Sequence, residues 1–296
     1  MRFFVLAAHP LVSYLRGIQL KNYNTGLRKG ANEQEMNSND RQEIEANAPV
    51  ESTSVKSPVA AVPRQRAVRR LWRAETIYIV ALAAFAVLAI FAHLDPYFRW
   101  DLEVSEHFNW TTFTPPGLFP LMRFISVFGN TWTPYALTAA TAIAFLIFRR
   151  RSEAFGLILS AGGSGLINTL LKTVVARPRP QNTEIQSYRQ MLTQSFPSGH
   201  VTFYVCYFGF LFFVAYALLR RGSMVRRLAL TLAALPVLLI GFSRVYLGAH
   251  WPSDTLGSYL WSGVWLAFSL WMYRRWKAHK TFYRDELVGS REQQGH

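Results

Sequence analysis

Cysteine is nearly absent: Cys206 is the only one in 296 residues. A lone cysteine forms no intrachain disulfide, so a secreted disulfide scaffold is excluded, and so is a cysteine metal cluster. Its position inside an apolar stretch marks it as a small buried hydrophobe. Charge is also scarce, at 17% of residues against 51% hydrophobic and 15% aromatic. That balance excludes a chain disordered throughout and a coiled coil. Acidic residues are the rarer sign: 17 Asp+Glu stand against 32 Lys+Arg, a formal net charge of +15. A surplus of this size suits nucleic acid, but the cations form no stripe of their own. They lie beside long apolar runs, as in the cytoplasmic loops of membrane proteins, so no nucleic-acid partner is expected.

Six apolar runs are long and dry enough to cross a bilayer: residues 77–94, 132–148, 154–175, 201–219, 228–247 and 255–273. The fifth contains Pro236, tolerable as a kink inside a bundle. The expected fold is therefore all-α, a polytopic membrane protein with a six-transmembrane-helix bundle. The loop 95–131 carries Asp95, Asp101, Glu103 and Glu106 and forms a short extracytoplasmic cap, with 118–128 apolar enough to lie in the interface. Residues 1–73 read as a disordered and basic N-terminal segment, since 22–63 bury too little apolar area to offset chain entropy. The apolar start at residues 1–8 is too short for a signal peptide. Residues 74–275 form the membrane domain and 276–296 a short tail. Lys and Arg cluster before the first span, between the second and third, after the fourth and after the sixth. All four places fall on one side, which puts both termini in the cytoplasm.

Three polar clusters then fall on the opposite side. The first is Lys172 with Arg179-Pro180, the second Ser198-Gly199-His200, and the third runs from Ser243-Arg244 to His250 and Asp254. Lys172, Arg179 and Arg244 supply three cations from three segments, and guanidinium groups match phosphate oxygens in bidentate fashion. Ser198-Gly199 opens a helix, whose free N–H groups bind anions and whose glycine allows close approach. His250 and Asp254, spaced i, i+4, let the carboxylate hold one ring nitrogen and leave the other free to attack phosphorus. His200, beside the anion site, is placed to protonate the leaving oxygen. No metal or cofactor is required, since the cations and the helix terminus stabilise the transferring phosphoryl group.

Taken singly these residues have bland explanations. Ser-Gly-His recurs by chance, Lys172 reads as a snorkelling span-end lysine, and Arg177 and Arg179 as interfacial anchors. Ser164, Asn168 and Lys172 share a face that serves as polar glue, and the glycines at 162, 163 and 165 suit close helix packing. Tyr246 reads as packing, and Trp100, Trp110 and Trp132 as an aromatic belt. The joint pattern on one membrane face is what points to phosphoryl transfer.

In this order the clusters resemble the type 2 phosphatidic acid phosphatase family, membrane relatives of vanadium haloperoxidases, over residues 75–275. The resemblance implies phosphate-binding roles for Lys172, Arg179, Ser198, Gly199 and Arg244. It also implies His200 as general acid, His250 as the nucleophile that becomes phosphohistidine, and Asp254 as its partner. The expected function is hydrolysis of a phosphate monoester or diphosphate on a lipid. Candidate substrates are a polyprenyl diphosphate such as undecaprenyl diphosphate, phosphatidate, phosphatidylglycerophosphate and lipid A phosphate. Phosphoryl transfer to an acceptor lipid and non-enzymatic binding or transport of a phosphorylated lipid are the rival classes. Vanadate oxidation is disfavoured, because those relatives are soluble. The expected partners are the lipid and the bilayer, and a homo-oligomer is compatible with the sequence without being required.

Overall fold

The computed structural model describes residues 64–180, 185–188 and 193–294; the tail read from residues 1–63 lies outside them. The chain divides into two compact units, Met1–Thr76 and Ile77–His296, and the second holds all three polar clusters. Eight helices stand out among the described residues: α1 (Arg64–Leu94), α2 (Arg99–Phe108), α3 (Leu118–Ser126), α4 (Thr133–Ile147), α5 (Arg151–Val175), α6 (Gly199–Leu218), α7 (Met224–Tyr246) and α8 (Pro252–Gln294). A 3-10 turn, Val127–Gly129, extends α3, and no strand occurs among the described residues.

Four segments are long and apolar enough to cross a membrane: Glu75–Leu94 within α1, then α5, α6 and α7. With 15 residues, α4 reaches only about 22 Å at 1.5 Å per residue, short of a hydrocarbon core of about 30 Å. The first half of α8 is diluted by Ser253, Gly257, Ser258, Ser262 and Ser269. Two boundaries differ from the sequence pattern. The basic residues 64–73 form the first turns of α1, and α8 continues through the expected tail to Gln294. Both stretches are rich in residues that favour helix and contain no proline to stop it. The expected cap contains α2, whose polar residues Asp101 and Ser105, one turn apart, are buried.

At the centre stands α6, with Val201, Tyr204, Cys206 and Phe210 fully buried and α7 and α8 packed against it. Close approach depends on small residues. An added Cβ at Gly163 would stand 2.7 Å from the Trp265 ring, and one at Gly156 2.7 Å from Phe210. Within α5 the turn Ile158–Gly162 widens to a π-helix. There Trp265 Nε1–H donates to the carbonyls of Leu159 (3.2 Å) and Ser160 (3.1 Å), which satisfies acceptors in the widened turn. The Tyr259 hydroxyl inserts into the ladder of α7, accepting from Gly241 N–H and donating to the Val237 carbonyl at 2.6 Å. The polar stripe of α5 does join helices: Thr202 Oγ1 donates to Asn168 Oδ1 at 3.0 Å.

The two ends of the bundle differ in chemistry. At the start of α5, Glu153 pairs with Lys277 at 2.7 Å and accepts from the Tyr273 hydroxyl. Lys172 lies nineteen residues further along the same helix, roughly 28 Å away. There the end of α5, the start of α6, the end of α7 and the start of α8 converge.

Candidate active site

The start of α8 sets the geometry. Pro252 opens it, with a fixed φ and no N–H to leave unpaired, and Trp251 N–H donates to Asp254 Oδ2 at 2.9 Å. A carboxylate at the third helical position thus reaches back to the residue before the helix, as in a capping box. The same Oδ2 accepts from the Ser195 hydroxyl and lies 3.3 Å from His250 Nδ1. A carboxylate oxygen accepts, so Nδ1 carries the imidazole proton and Nε2 is the unprotonated acceptor nitrogen. Nε2 stands 3.2 Å from Arg179 Nη1. His250 is buried. Burial first, then the cations Arg179, Lys172 and Arg244, hold its pKa well below the ordinary 6.5, with a backbone contact to Ser195 opposing. The ring is therefore neutral at pH 7.

Arg244 shapes the turn that carries His250. Its carbonyl accepts the N–H groups of Ala249 (3.0 Å) and His250 (3.3 Å). Between them and α7, Gly248 has φ 64°, and a Cβ there would run into the Gln186 carbonyl. The Arg244 guanidinium, fully buried, donates from Nη1 to Ser126 Oγ at 3.0 Å. Arg179 bridges two loops, donating to the Thr193 carbonyl and hydroxyl and, at 2.6 Å, to the Ala249 carbonyl. Burial and then Arg244 lower its pKa to about 10, with Asp254 opposing, which leaves it protonated at neutral pH. Lys172 Nζ donates to the carbonyls of Gln194 and, at 3.2 Å, Ser195.

Ser198 precedes α6, and its N–H donates to Ser258 Oγ at 2.6 Å. Its own Oγ is buried and has no hydrogen-bond partner among the described residues. A Cβ at Gly199 would stand 3.4 Å from the Asn168 amide, so the chain approaches closely there. His200 Nε2 lies 3.2 Å from Asn130 Oδ1, an acceptor, which puts a ring proton on Nε2. The backbone of Gly129 presses so near the His200 ring that a side chain there would collide with it. All eight residues singled out from the sequence thus lie at one end of the bundle. Asp254, His250 and Arg179 touch in series, while His200 faces Asn130.

Two residues that the sequence pattern assigned elsewhere are part of this cluster. Arg177, read as an interfacial anchor, is buried. Its Nη1 donates to Asp254 Oδ1 at 2.8 Å and to Ser253 Oγ at 2.6 Å, and its Nη2 to Asp101 Oδ2 at 2.8 Å. Asp101, read as part of an acidic loop, is also buried, and accepts from the Ser253 N–H at 2.8 Å and the Ser253 hydroxyl at 2.6 Å. The Phe98 ring closes one side, 4.8 Å from the guanidinium carbon. A chain of contacts runs Asp101–Arg177–Asp254–His250. The signals for it were the second Arg-Pro pair, Arg177-Pro178, and a lone Asp opening an aromatic-rich helix.

Residues 153–278 match the model of the PAP2 superfamily. An undecaprenyl-diphosphatase of Sulfolobus acidocaldarius is 26% identical over 204 residues, covering 64% of this chain and 88% of that protein. The phosphatidylglycerophosphatase B of Bacillus subtilis is 25% identical over 175 residues, 59% of this chain and 84% of that one. The crystal structure of a transmembrane PAP2-type phosphatidylglycerolphosphate phosphatase from Bacillus subtilis superposes with a TM-score of 0.56 at 21% identity, over 67% of this chain and 96% of that chain. The two share the fold. The matched segment contains every site residue from Lys172 to Asp254 together with Arg177 and Ser195. Asp101, Ser126 and Asn130 precede it, contributed by the chain between α1 and α4.

Proposed function

We propose that the protein is an integral-membrane lipid phosphatase that hydrolyses a lipid phosphate monoester or diphosphate through a phosphohistidine, without a metal. The reading rests above all on His250: a buried, neutral imidazole with Nδ1 toward Asp254 and Nε2 toward Arg179. Lys172, Arg179 and Arg244 hold the phosphate oxygens, and Ser198 Oγ, buried without a partner among the described residues, donates to one of them. Buried hydroxyls are normally paired, and a bound phosphate supplies the missing acceptor. Lys172, Arg177, Arg179 and Arg244 outnumber Asp101 and Asp254, and a phosphate dianion compensates the difference.

In the first step His250 Nε2 forms a bond to phosphorus as the bond to the leaving oxygen breaks, and His200 Nε2 gives that oxygen its proton. In the second, water attacks the phosphohistidine, His200 takes the water's proton, and the P–N bond breaks to release phosphate and restore neutral His250. The cations stabilise charge on the equatorial oxygens in both steps.

The proposed membrane topology has six spans within a catalytic domain at residues 74–275, with α4 and α8 completing the four membrane-length helices. Residues 1–73 and 276–296 are cytoplasmic, on the side of the arginine-rich junctions 149–151, 220–227 and 274–275. The site then opens on the extracytoplasmic face. The test is phosphate release by the purified protein in detergent with excess EDTA. The panel is undecaprenyl diphosphate, phosphatidate and phosphatidylglycerophosphate, with His250→Ala as control. EDTA-resistant release that disappears in the variant is expected; release that survives in His250→Ala overturns the mechanism.

A further inference from the structure

A cavity of about 590 Å³ adjoins the site, lined by Phe119, Arg123, Phe124, Val127, Asn130 and Tyr188 among others. Two of its lining residues contact residues of the phosphate site. Asn130 is the residue that His200 faces, and the Tyr188 side chain reaches Arg244. His200 Nε2 therefore faces a wall of this cavity, across Asn130. In an in-line displacement the leaving oxygen departs on the side of the general acid, so the group attached to that oxygen extends into it.

The walls indicate what that group is. Phe119, Phe124 and Val127 are apolar, and Phe124 is 63% exposed, which suits hydrocarbon near its point of attachment. The cation among them is Arg123. Its guanidinium carbon lies 5.7 Å from the Phe119 ring centroid and 6.0 Å from that of Tyr188. Cation–π contacts of this kind hold the guanidinium beside the rings and leave its N–H groups available to an oxyanion. Among the described residues Arg123 makes no ion pair with a carboxylate. A neutral diacylglycerol leaving group would have no use for it.

We infer that this cavity is the leaving-group subsite, and that Arg123 selects lipid substrates whose leaving group itself carries a phosphate. Two lipid classes have that chemistry: a prenyl diphosphate, where the second phosphate adjoins the scissile bond, and phosphatidylglycerophosphate, where a phosphodiester lies a glycerol away. Phosphatidate lacks it. The inference rests on the proposed phosphatase reading of the same site.

The experiment measures kcat/KM of wild type, Arg123→Gln and Arg123→Lys on undecaprenyl diphosphate, phosphatidylglycerophosphate and phosphatidate. A charge-assisted contact of this type corresponds to a loss on the order of ten- to a hundredfold. Arg123→Gln is expected to shift the ratio of one or both doubly phosphorylated substrates to phosphatidate by at least tenfold, and Arg123→Lys by less. Which ratio moves more identifies the spacing that the subsite reads. A wild-type enzyme with no preference over phosphatidate, or an Arg123→Gln variant that lowers all three equally, overturns the inference while leaving the phosphatase reading intact. A wild type that releases phosphate from none of the three, though folded, overturns both.

Discussion

Replacing Arg177 by methionine removes the cation between two buried carboxylates while keeping most of the side-chain volume. In the native structure Arg177 donates to Asp254 and Asp101 at 2.8 Å each, to Ser253 at 2.6 Å and to the Pro96 carbonyl at 3.1 Å. Breaking a buried ion pair by removing one partner costs about 3–5 kcal/mol, because the other charge is stranded. Here two charges are stranded, but each keeps other donors: Ser195 and the Trp251 N–H at Asp254, and Ser253 at Asp101. The expected destabilisation therefore stays within that range, a fall in Tm of roughly 6–20 °C for a unit of this size. Asp254 loses one of the groups that hold it against His250, so kcat falls on the order of ten- to a hundredfold. The assays are thermal unfolding in detergent and steady-state phosphate release across pH. Asp101→Asn, in the Arg177→Met background, removes one stranded charge and recovers part of the lost stability, a coupling that a double-mutant cycle reads directly. Arg177→Met with native Tm and kcat within twofold of wild type would refute the claim that this chain of contacts orients the nucleophile.

The titration of His250 has a definite sign. Its folded pKa lies well below 6.5 because of burial and then Arg179, Lys172 and Arg244, whereas in the unfolded chain it binds a proton near 6.5. Its contribution to stability is full above pH 6.5 and is lost progressively below it, so Tm at pH 5.5 should lie below Tm at pH 7.5, with a smaller difference in His250→Gln. The acid limb that His250 imposes on kcat/KM falls below pH 6.5 for the same reason; an acid limb centred at or above pH 6.5 counts against a neutral nucleophile. Ser198→Ala removes a buried hydroxyl that has no partner among the described residues. Stability should change by less than about 0.5 kcal/mol while kcat/KM falls on the order of tenfold or more, measured by unfolding and turnover side by side.

Helices read well from the sequence where one physical requirement dominates. In α5, α6 and α7, backbone polar groups must be satisfied within the segment and most side chains must be apolar, and both demands appear as long runs poor in charge. The ends of α8 and α1 read less well, because helix propensity carried the backbone past the point where hydropathy stops. The helix α2 was hidden in a segment read as loop: its ten residues include Asp101, Glu103 and Glu106, and burial of Asp101 depends on Arg177, which lies 76 residues away along the chain.

The site divides along the same line. That Lys172, Arg179, Ser198, Gly199, His200, Arg244, His250 and Asp254 form a candidate site was suggested by short spacings: a glycine and serine at a helix start, and a His and Asp one turn apart. Sequence alone determined the membrane-length helices, the excess of cations beside them and the residue types suited to phosphoryl transfer. Only the tertiary structure decided which arginine does what. Arg177 and Arg179 are two residues apart and alike in composition, yet one stands between the carboxylates of Asp101 and Asp254 while the other faces His250 Nε2. The direction in which the chain leaves α5 separates them, and the cap residues they meet are contributed by distant parts of the sequence. Electrostatic pairing in a buried interior depends on distances of about 3 Å, which spacing along a chain does not encode.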